Sequence, residues 1–278
     1  MLHFAGSPFS FHRIVLVASL LFTLYAHSQC VAGSGVSAVQ EVVQHELELA
    51  PAQGRWMYHA RFTQDGIQID ARRIQTNDGL ITWVFARNGV PLSASELDAQ
   101  QNSLERNTSD PSFTEKNRAA MQNDNRQINS LFADLPGGVT FDCLTQSGDV
   151  GTVRFKPLQG SCGFSIERCI VAGMSGTIVL DTKNKRLLAA SGSEQNDLSM
   201  FLGFTRVNKG SSIRIARTEA APGIWETSTV SVHFKGQLLF LKTITRDTDE
   251  SRTEYIRVPE DLTAHAAISY LKNPNRLP

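Results

Sequence analysis

Three dipeptides suited to tight turns divide one β-rich segment of the chain, "WMYHARFTQDGIQIDARRIQTNDGLITWVFARNG". They are Asp65-Gly66, Asp78-Gly79 and Asn88-Gly89. Asn or Asp followed by Gly accepts the positive φ angles of a two-residue hairpin turn. The segment is therefore predicted to be an antiparallel meander of three strands. In the third strand, Ile81, Trp83 and Phe85 share one face by the two-residue period of a strand, and that face is predicted to be buried.

Helices are predicted before and after this meander. Apolar residues recur at spacings of three and four between Val36 and Leu49, which is typical of a helix with one apolar face. Ser93 and Glu96 have capping-box spacing and predict a helix N-terminus directly after the meander. A further helix is expected from about 112 to 135, ending before the sequence "PGG".

Strand-like runs resume after these helices and continue through "GTIVLD", "IWETSTVSVHFK" and "QLLFLKTITRD" to "TEYIRV". Turns are expected at Lys235-Gly236 and in "RDTDES", and residues 259–278 are expected to form a loosely held tail. Counting the runs gives about ten or eleven strands, which predicts an α+β fold: a curled antiparallel sheet covered by helices.

The overall charge argues against nucleic acid as a partner. The chain of 278 residues has 27 Lys and Arg against 27 Asp and Glu, and 41% of its residues are hydrophobic. A balanced charge gives no broad field that would attract an anionic polymer. The composition is that of a globular protein, and no motif predicts a cofactor.

The N-terminus has the features of an export signal. An apolar run from Ile14 to Tyr25 follows Arg13, and Ala26 and Ser28 occupy the small-residue positions before a cleavage site. We therefore expect a signal peptide over residues 1–28, a mobile leader over 29–35 and an exported, periplasmic protein. Lipid anchoring through Cys30 is the less favoured alternative.

Export would place the cysteines in an oxidising compartment. Cys143, Cys162 and Cys169 are close in sequence, and one disulfide is predicted among them, joining Cys162 to Cys143 or to Cys169. Three buried, reduced thiols are the alternative.

No motif predicts catalysis or a metal centre. The histidines are scattered singly, and His233 is interpreted as a surface residue of a strand. Asp247, Asp249 and Glu250 are interpreted as solvated turn residues. The chain is therefore predicted not to be an enzyme, and an unrecognised hydrolase remains a second alternative.

The order of elements carries a family resemblance. The stretches "GTIVLDTKNKRLLAASG" and "APGIWETSTVSVHFKGQLLFLKTITRDTDESRTEYIRV", after the meander and its helices, resemble exported bacterial proteins of the outer-membrane lipoprotein carrier and sorting family, with the LolA-like fold. The resemblance covers residues 36–258 as a single domain. It implies an incomplete barrel closed by helices, with an apolar cavity that holds acyl chains.

Together with this resemblance, the strand pattern predicts the lining of the cavity. The candidate residues, or their alternates on the same strands, are Ile81, Trp83, Phe85, Val230, Val232 and Phe234, beneath the helices of residues 93–135. The expected function is that of a non-catalytic carrier or binder of a lipid or lipidated protein. An envelope sensor or scaffold of the same fold, binding a protein partner, is the alternative. The sequence leaves the oligomeric state open.

Overall fold

The computed structural model describes residues 33–50, 54–158, 173–200, 205–238 and 242–273. All of them belong to one compact unit, Val31–Pro278. The described helices are α1 (Ser34–Leu49), α2 (Ala94–Ser109), α3 (Pro111–Gly138) and α4 (Ala264–Lys272). None of these described helices is long and apolar enough to cross a membrane.

The strands belong to a single antiparallel sheet. They are β1 (Arg55–Gln64), β2 (Ile67–Thr76), β3 (Gly79–Arg87), β4 (Val90–Pro91), β5 (Val139–Phe141), β6 (Thr145–Ser147), β7 (Val150–Pro157), β8 (Met174–Asp181), β9 (Arg186–Glu194), β10 (Leu198–Met200), β11 (Thr205–Val207), β12 (Ser212–Ala221), β13 (Ile224–Leu238) and β14 (Lys242–Val258).

The strand order is β4-β3-β2-β1-β14-β13-β12-β9-β8-β7-β5. In addition, β6 pairs with β7, β11 pairs with β13, and β10 pairs with β11. The sheet is open, because β4 and β5 end this order and do not pair with each other within the described chain. The prediction of an α+β fold with a large antiparallel sheet is confirmed. The described sheet has 14 strands rather than the ten or eleven predicted.

Two of the three predicted turns form at their dipeptides, whereas the β2–β3 turn lies one residue earlier than predicted, at Asn77-Asp78, and Gly79 is the first residue of β3. The β1–β2 turn has φ angles of 52° at Asp65 and 76° at Gly66, and Asn88 and Gly89 have 48° and 74°. These left-handed angles are the ones that Asn, Asp and Gly adopt most readily. The Ser93–Glu96 capping box is also present, with each residue bonded to the other's backbone.

Two predicted turns are wrong. Gly236 lies within β13, opposite Ile244, and the sequence "RDTDES" lies within β14. Asp247 and Asp249 are exposed on β14, whereas Glu250, which was also predicted to be solvated, is buried. The helix predicted over residues 112–135, α3, continues beyond its predicted end and includes Pro136.

The C-terminal segment is a packed helix and not a loosely held tail. Thr263 caps α4, and Ala264, Ala267, Ile268 and Leu271 are buried. Their spacing of three, four and seven residues places them on one helical face. This face packs on α2 and on strands β2 and β3, so the folded unit extends beyond residue 258.

The register of the strands distinguishes the two faces of the sheet. Trp83 lies opposite Arg72, and Arg72 lies opposite His59, so these three side chains share the face named here the Trp83 face. The neighbouring residues Trp56 and Tyr58 point to the other side, named here the Trp56 face. α2 and α4 pack on the Trp83 face of β1–β3. α1 packs on the Trp56 face of β7–β9.

Candidate functional site

The predicted cavity residues lie on opposite faces of the sheet. Phe62 on β1 lies opposite Glu250, which in turn lies opposite Val230. Phe62 and His59 are three residues apart on one strand and therefore point to opposite faces. Val230, Val232 and Phe234 thus lie on the Trp56 face, away from Ile81, Trp83 and Phe85. The six residues cannot line one cavity together, because the intervening strands β1 and β14 fix the register.

On the Trp83 face, the predicted residues belong to a packed core. Ile81 and Trp83 are buried, and Phe85 is partly buried. Their neighbours in the same cluster are Met57, Ile74, Val258, Leu262, Ala264, Ala267 and Leu271, with Leu97, Leu104 and Tyr270. Gln100 of α2 bonds the backbone of Val84 through both amide atoms, at 2.9 Å each. This helix layer therefore stabilises the sheet with the chain's own side chains.

The Trp56 face carries the second apolar layer. Beneath α1 the sheet presents a row of buried apolar residues, named here the α1 trough: Val153, Phe155, Ile178, Leu180 and Leu187. α1 fills it with Val39, Val42 and Val43. A cavity of about 20 Å³ remains between helix and sheet, which is room for about one water molecule. The trough is closed by α1 together with Leu135 of α3, which also lines this cavity.

A buried ionic group holds α1 to the sheet. The Glu46 carboxylate of α1 lies 2.6 Å from Arg217 Nη1 and 3.5 Å from Arg186 Nε. It also accepts a 2.9 Å hydrogen bond from the backbone N–H of Leu187. The exposed fractions of the side chains are 10% for Glu46, 10% for Arg217 and 4% for Arg186. We name these three residues the Glu46 lock.

Part of the lock's hydrogen-bonding capacity is unused. Glu46 Oε2 and the Nε and Nη1 groups of Arg186 are buried and have no hydrogen-bond partner. Burial lowers the pKa of Arg186, and the nearby Glu46 acts in the opposite direction. Buried polar groups without partners are rare, because each one costs about 1–3 kcal/mol. The lock therefore offers two donors beside an apolar trough that already contains Glu46 in its lining.

A second charged group lies further along the same face. Glu250 bonds Arg73 at 2.6 Å and Arg252 at 2.7 Å. Arg73 lies over the ring of Phe62 and Arg252 over the ring of Tyr58. Glu250 pairs with both arginines, although Arg73 Nε, like two of the Arg186 donors, is buried without a hydrogen-bond partner.

Glu194 is a buried carboxyl on β9. It lies opposite Met174, which belongs to the same apolar cluster as the α1 trough. Its exposed fraction is 3%, and burial raises its pKa to about 7. Its Oε1 atom has no hydrogen-bond partner. The Trp56 face therefore holds a carboxyl that can gain or lose a proton near neutral pH.

Sequence reasoning missed the lock, although one signal was present. Glu46 follows Val39, Val42 and Val43 at the seven-residue position of the same helical stripe, so a charge stands on the apolar face. Such a charge needs a buried partner. The partners, Arg186 and Arg217, come from distant strands and carry no local signal.

The cysteine and export predictions fall mainly on residues outside the described ranges. Cys143 is not a free thiol, whereas Cys30, Cys162 and Cys169 lie outside the described residues. The predicted disulfide and its connectivity therefore stay predictions, as does the signal peptide. The mobile leader was predicted over residues 29–35, but α1 begins at Ser34 and buries Gly35; residues 29–32 lie outside the described ranges.

Comparison with protein-family models, with curated proteins and with solved structures found no match for this chain.

Proposed function

We propose that this protein is a non-catalytic, exported binder or carrier of an amphiphile that has an acyl chain and an anionic head group. The acyl chain would occupy the α1 trough after α1 has moved away, and the head group would pair with Arg186. The resemblance to the LolA-like family supports this class of ligand. In that view the open sheet is the incomplete barrel, and α1 is one of the helices that close it.

The observation that carries the proposal is the buried, partly unpaired guanidinium of Arg186 at the border of an apolar trough. A carboxylate or phosphate that took the place of Glu46 could accept charge-assisted hydrogen bonds from the guanidinium groups of Arg186 and Arg217. The trough residues Val153, Phe155 and Ile178 would contact the chain. An ordinary structural core gains nothing from the two unpaired donors.

Binding of an acyl chain would offset part of the free-energy cost of displacing α1. Its valines each contribute about 1.5–3 kcal/mol through burial, and an acyl chain that enters the trough would recover the apolar contacts. The Glu46 lock is the polar part of the attachment, and the acyl chain cannot replace its ionic contacts. An anionic head group would replace Glu46 as the partner of Arg186 and Arg217.

Glu46→Gln provides the test. Removing the charge weakens the attachment of α1 to the sheet and leaves both guanidinium groups without a carboxylate partner. We therefore expect a fluorescent medium-chain fatty acid to bind about tenfold more tightly, which corresponds to about 1.4 kcal/mol. Adding Ala190→Phe should abolish the gain, because Ala190 lines the cavity beneath α1. Ala189→Phe is the matched control, since Ala189 points to the other face of the same strand. Equal probe affinity in the wild type and in Glu46→Gln would contradict the proposal.

A scaffold that binds a protein partner is the second candidate, and the closed state of the trough favours it. A cavity of about 20 Å³ holds no acyl chain. In this case α1 stays packed on the sheet as part of the hydrophobic core, and the Glu46 lock only fixes its orientation. Mass spectrometry of an organic extract from natively purified protein separates the two candidates, because only a carrier should yield stoichiometric lipid.

A further inference from the structure

A cluster of metal-ligating side chains lies on the solvent side of β13 and β14. His233 on β13 lies directly opposite Asp247 on β14, and Ser231 lies directly opposite Asp249. All four side chains are on the Trp83 face, beyond the strands that α2 and α4 cover. The cluster is thus on the opposite side of the sheet from the α1 trough and is independent of the proposed function.

The register itself brings the three potential ligands together. Asp247 and Asp249 are two residues apart on one strand, so they point to the same face, and His233 stands across from them on the next strand. One ligand atom from each residue can be chosen such that all three lie within 4.8 Å of one another. The exposed fractions are 45% for His233, 74% for Asp247 and 61% for Asp249, so an ion reaches the cluster from solvent.

We infer that His233, Asp247 and Asp249 form a binding site for a divalent cation of the zinc class. One imidazole nitrogen and two carboxylate oxygens are a donor set that suits zinc and related ions and that oxygen-seeking ions such as magnesium use less often. Three protein ligands also leave at least one coordination position open. Glu250, the neighbouring acid, is on the other face and is engaged by Arg73 and Arg252.

The side chains need only local rotation to bind an ion. The imidazole now lies between the two acids, with Nδ1 in contact with Asp247 Oδ1 and Nε2 3.5 Å from Asp249 Oδ1. Only one ring nitrogen can ligate the ion, so one carboxylate must turn toward it. Ser231 Oγ donates to Asp249 Oδ1 and would orient that carboxylate, in the manner of outer-shell partners of metal ligands.

An open groove beside the cluster provides space at the free coordination position. The groove has a volume of about 380 Å³, and its lining contains Ser175, Ser191, Ser193, Ser212, Arg214, Ser231 and His233. Hydroxyl groups dominate this lining, and Arg214 lies opposite Ser231. A bound cation would therefore face a polar groove that can hold water or an oxygen-rich second ligand.

Zinc chloride alone is the probe for this site. Chelator-treated, tag-free protein should bind one zinc ion per chain in isothermal titration. We expect His233→Ala, Asp247→Asn and Asp249→Asn each to weaken binding at least tenfold, and Ser231→Ala to weaken it less. His265→Ala and Asp98→Asn, both exposed residues on helices, are the matched controls and should leave the affinity unchanged.

Cobalt spectroscopy provides a readout that does not depend on stability. Cobalt(II) should give visible d–d bands in the wild type and in both controls, and the bands should be lost in His233→Ala. Absence of zinc binding in the wild type would overturn the inference. So would zinc binding whose affinity stays the same in the three ligand variants, because that ion would be held elsewhere.

Discussion

The two helix layers of this protein differ in how they attach to the same sheet. On the Trp83 face, α2 and α4 pack through apolar side chains and through hydrogen bonds that involve the backbone, such as those between Gln100 and Val84 and between Arg72 and Leu271. On the Trp56 face, α1 packs through valines and a buried ionic group, the Glu46 lock, in which three buried atoms lack partners. Among the described residues, α2 and α4 themselves carry no buried side-chain N or O atom without a partner.

This difference indicates that the attachment of α1 is not explained by stability alone. A buried ion pair contributes little over an apolar replacement and is costly when its groups are incompletely bonded. Apolar packing of the kind seen on the Trp83 face would have been sufficient to hold α1. The unpaired donors of Arg186 and the buried carboxyl of Glu194 are both on or beside the α1 layer, which is therefore the better place to look for a ligand.

The largest expected effect is on the fully packed layer. Trp83→Ala should lower the free energy of unfolding by about 3–5 kcal/mol, because removal of a ring buried between the sheet and the helices leaves a cavity. Urea denaturation followed by far-UV circular dichroism measures this loss. Val90→Ala, at a side chain that is 66% exposed, is the control and should change stability by less than about 0.5 kcal/mol. A loss below about 1 kcal/mol at Trp83 would mean that α2 and α4 do not pack as described.

The next effect sharpens the comparison at α1. Glu46→Gln should lower the free energy of unfolding by about 3 kcal/mol, because Arg217 and Arg186 lose their buried counter-charge. The same urea denaturation measures this loss. Glu48→Gln on the exposed side of the same helix should change stability by less than about 0.5 kcal/mol. Indistinguishable effects of the two substitutions would show that the lock carries no stability.

A smaller effect depends on pH and on Glu194. Its pKa is about 7 in the folded chain against 4.5 as the ordinary value. As pH rises from 4.5 to 7, the unfolded chain releases this proton first, so the folded state loses stability, and the loss is complete above pH 7.

Glu194→Gln removes that loss. The free energy of unfolding of the variant minus that of the wild type should be about 2–3 kcal/mol larger at pH 8 than at pH 4. Stability measured by urea at both pH values tests this, with Glu260→Gln, at a side chain that is 62% exposed, as the control. A pH-independent difference between Glu194→Gln and the wild type would exclude the raised pKa.

Local signals in the sequence predicted most of the elements. The dipeptides Asp65-Gly66 and Asn88-Gly89 and the capping box at Ser93 specify their turns and cap through neighbouring residues alone. The helical stripe of α4 was equally visible in the spacing of Ala264, Ala267, Ile268 and Leu271 with Thr263 as cap, and it was missed because its position near the end of the chain favoured a tail.

Relations between distant strands could not be predicted in this way. Whether Val230 shares a face with Trp83 depends on β14 lying between β1 and β13, and on the register of both pairings. A shift of one residue in either pairing reverses the answer. The same holds for the lock and for the His233 cluster, whose members meet only across strands.

The central claim is that α1 is displaced when an acyl ligand binds, whereas α2 and α4 stay in place. Hydrogen–deuterium exchange of the wild-type protein, with and without a saturating medium-chain fatty acid, tests this most directly. We predict faster exchange in α1 (Ser34–Leu49) and unchanged exchange in α2 and α4. Unchanged or slower exchange in α1, at a ligand concentration that saturates binding, would contradict the account.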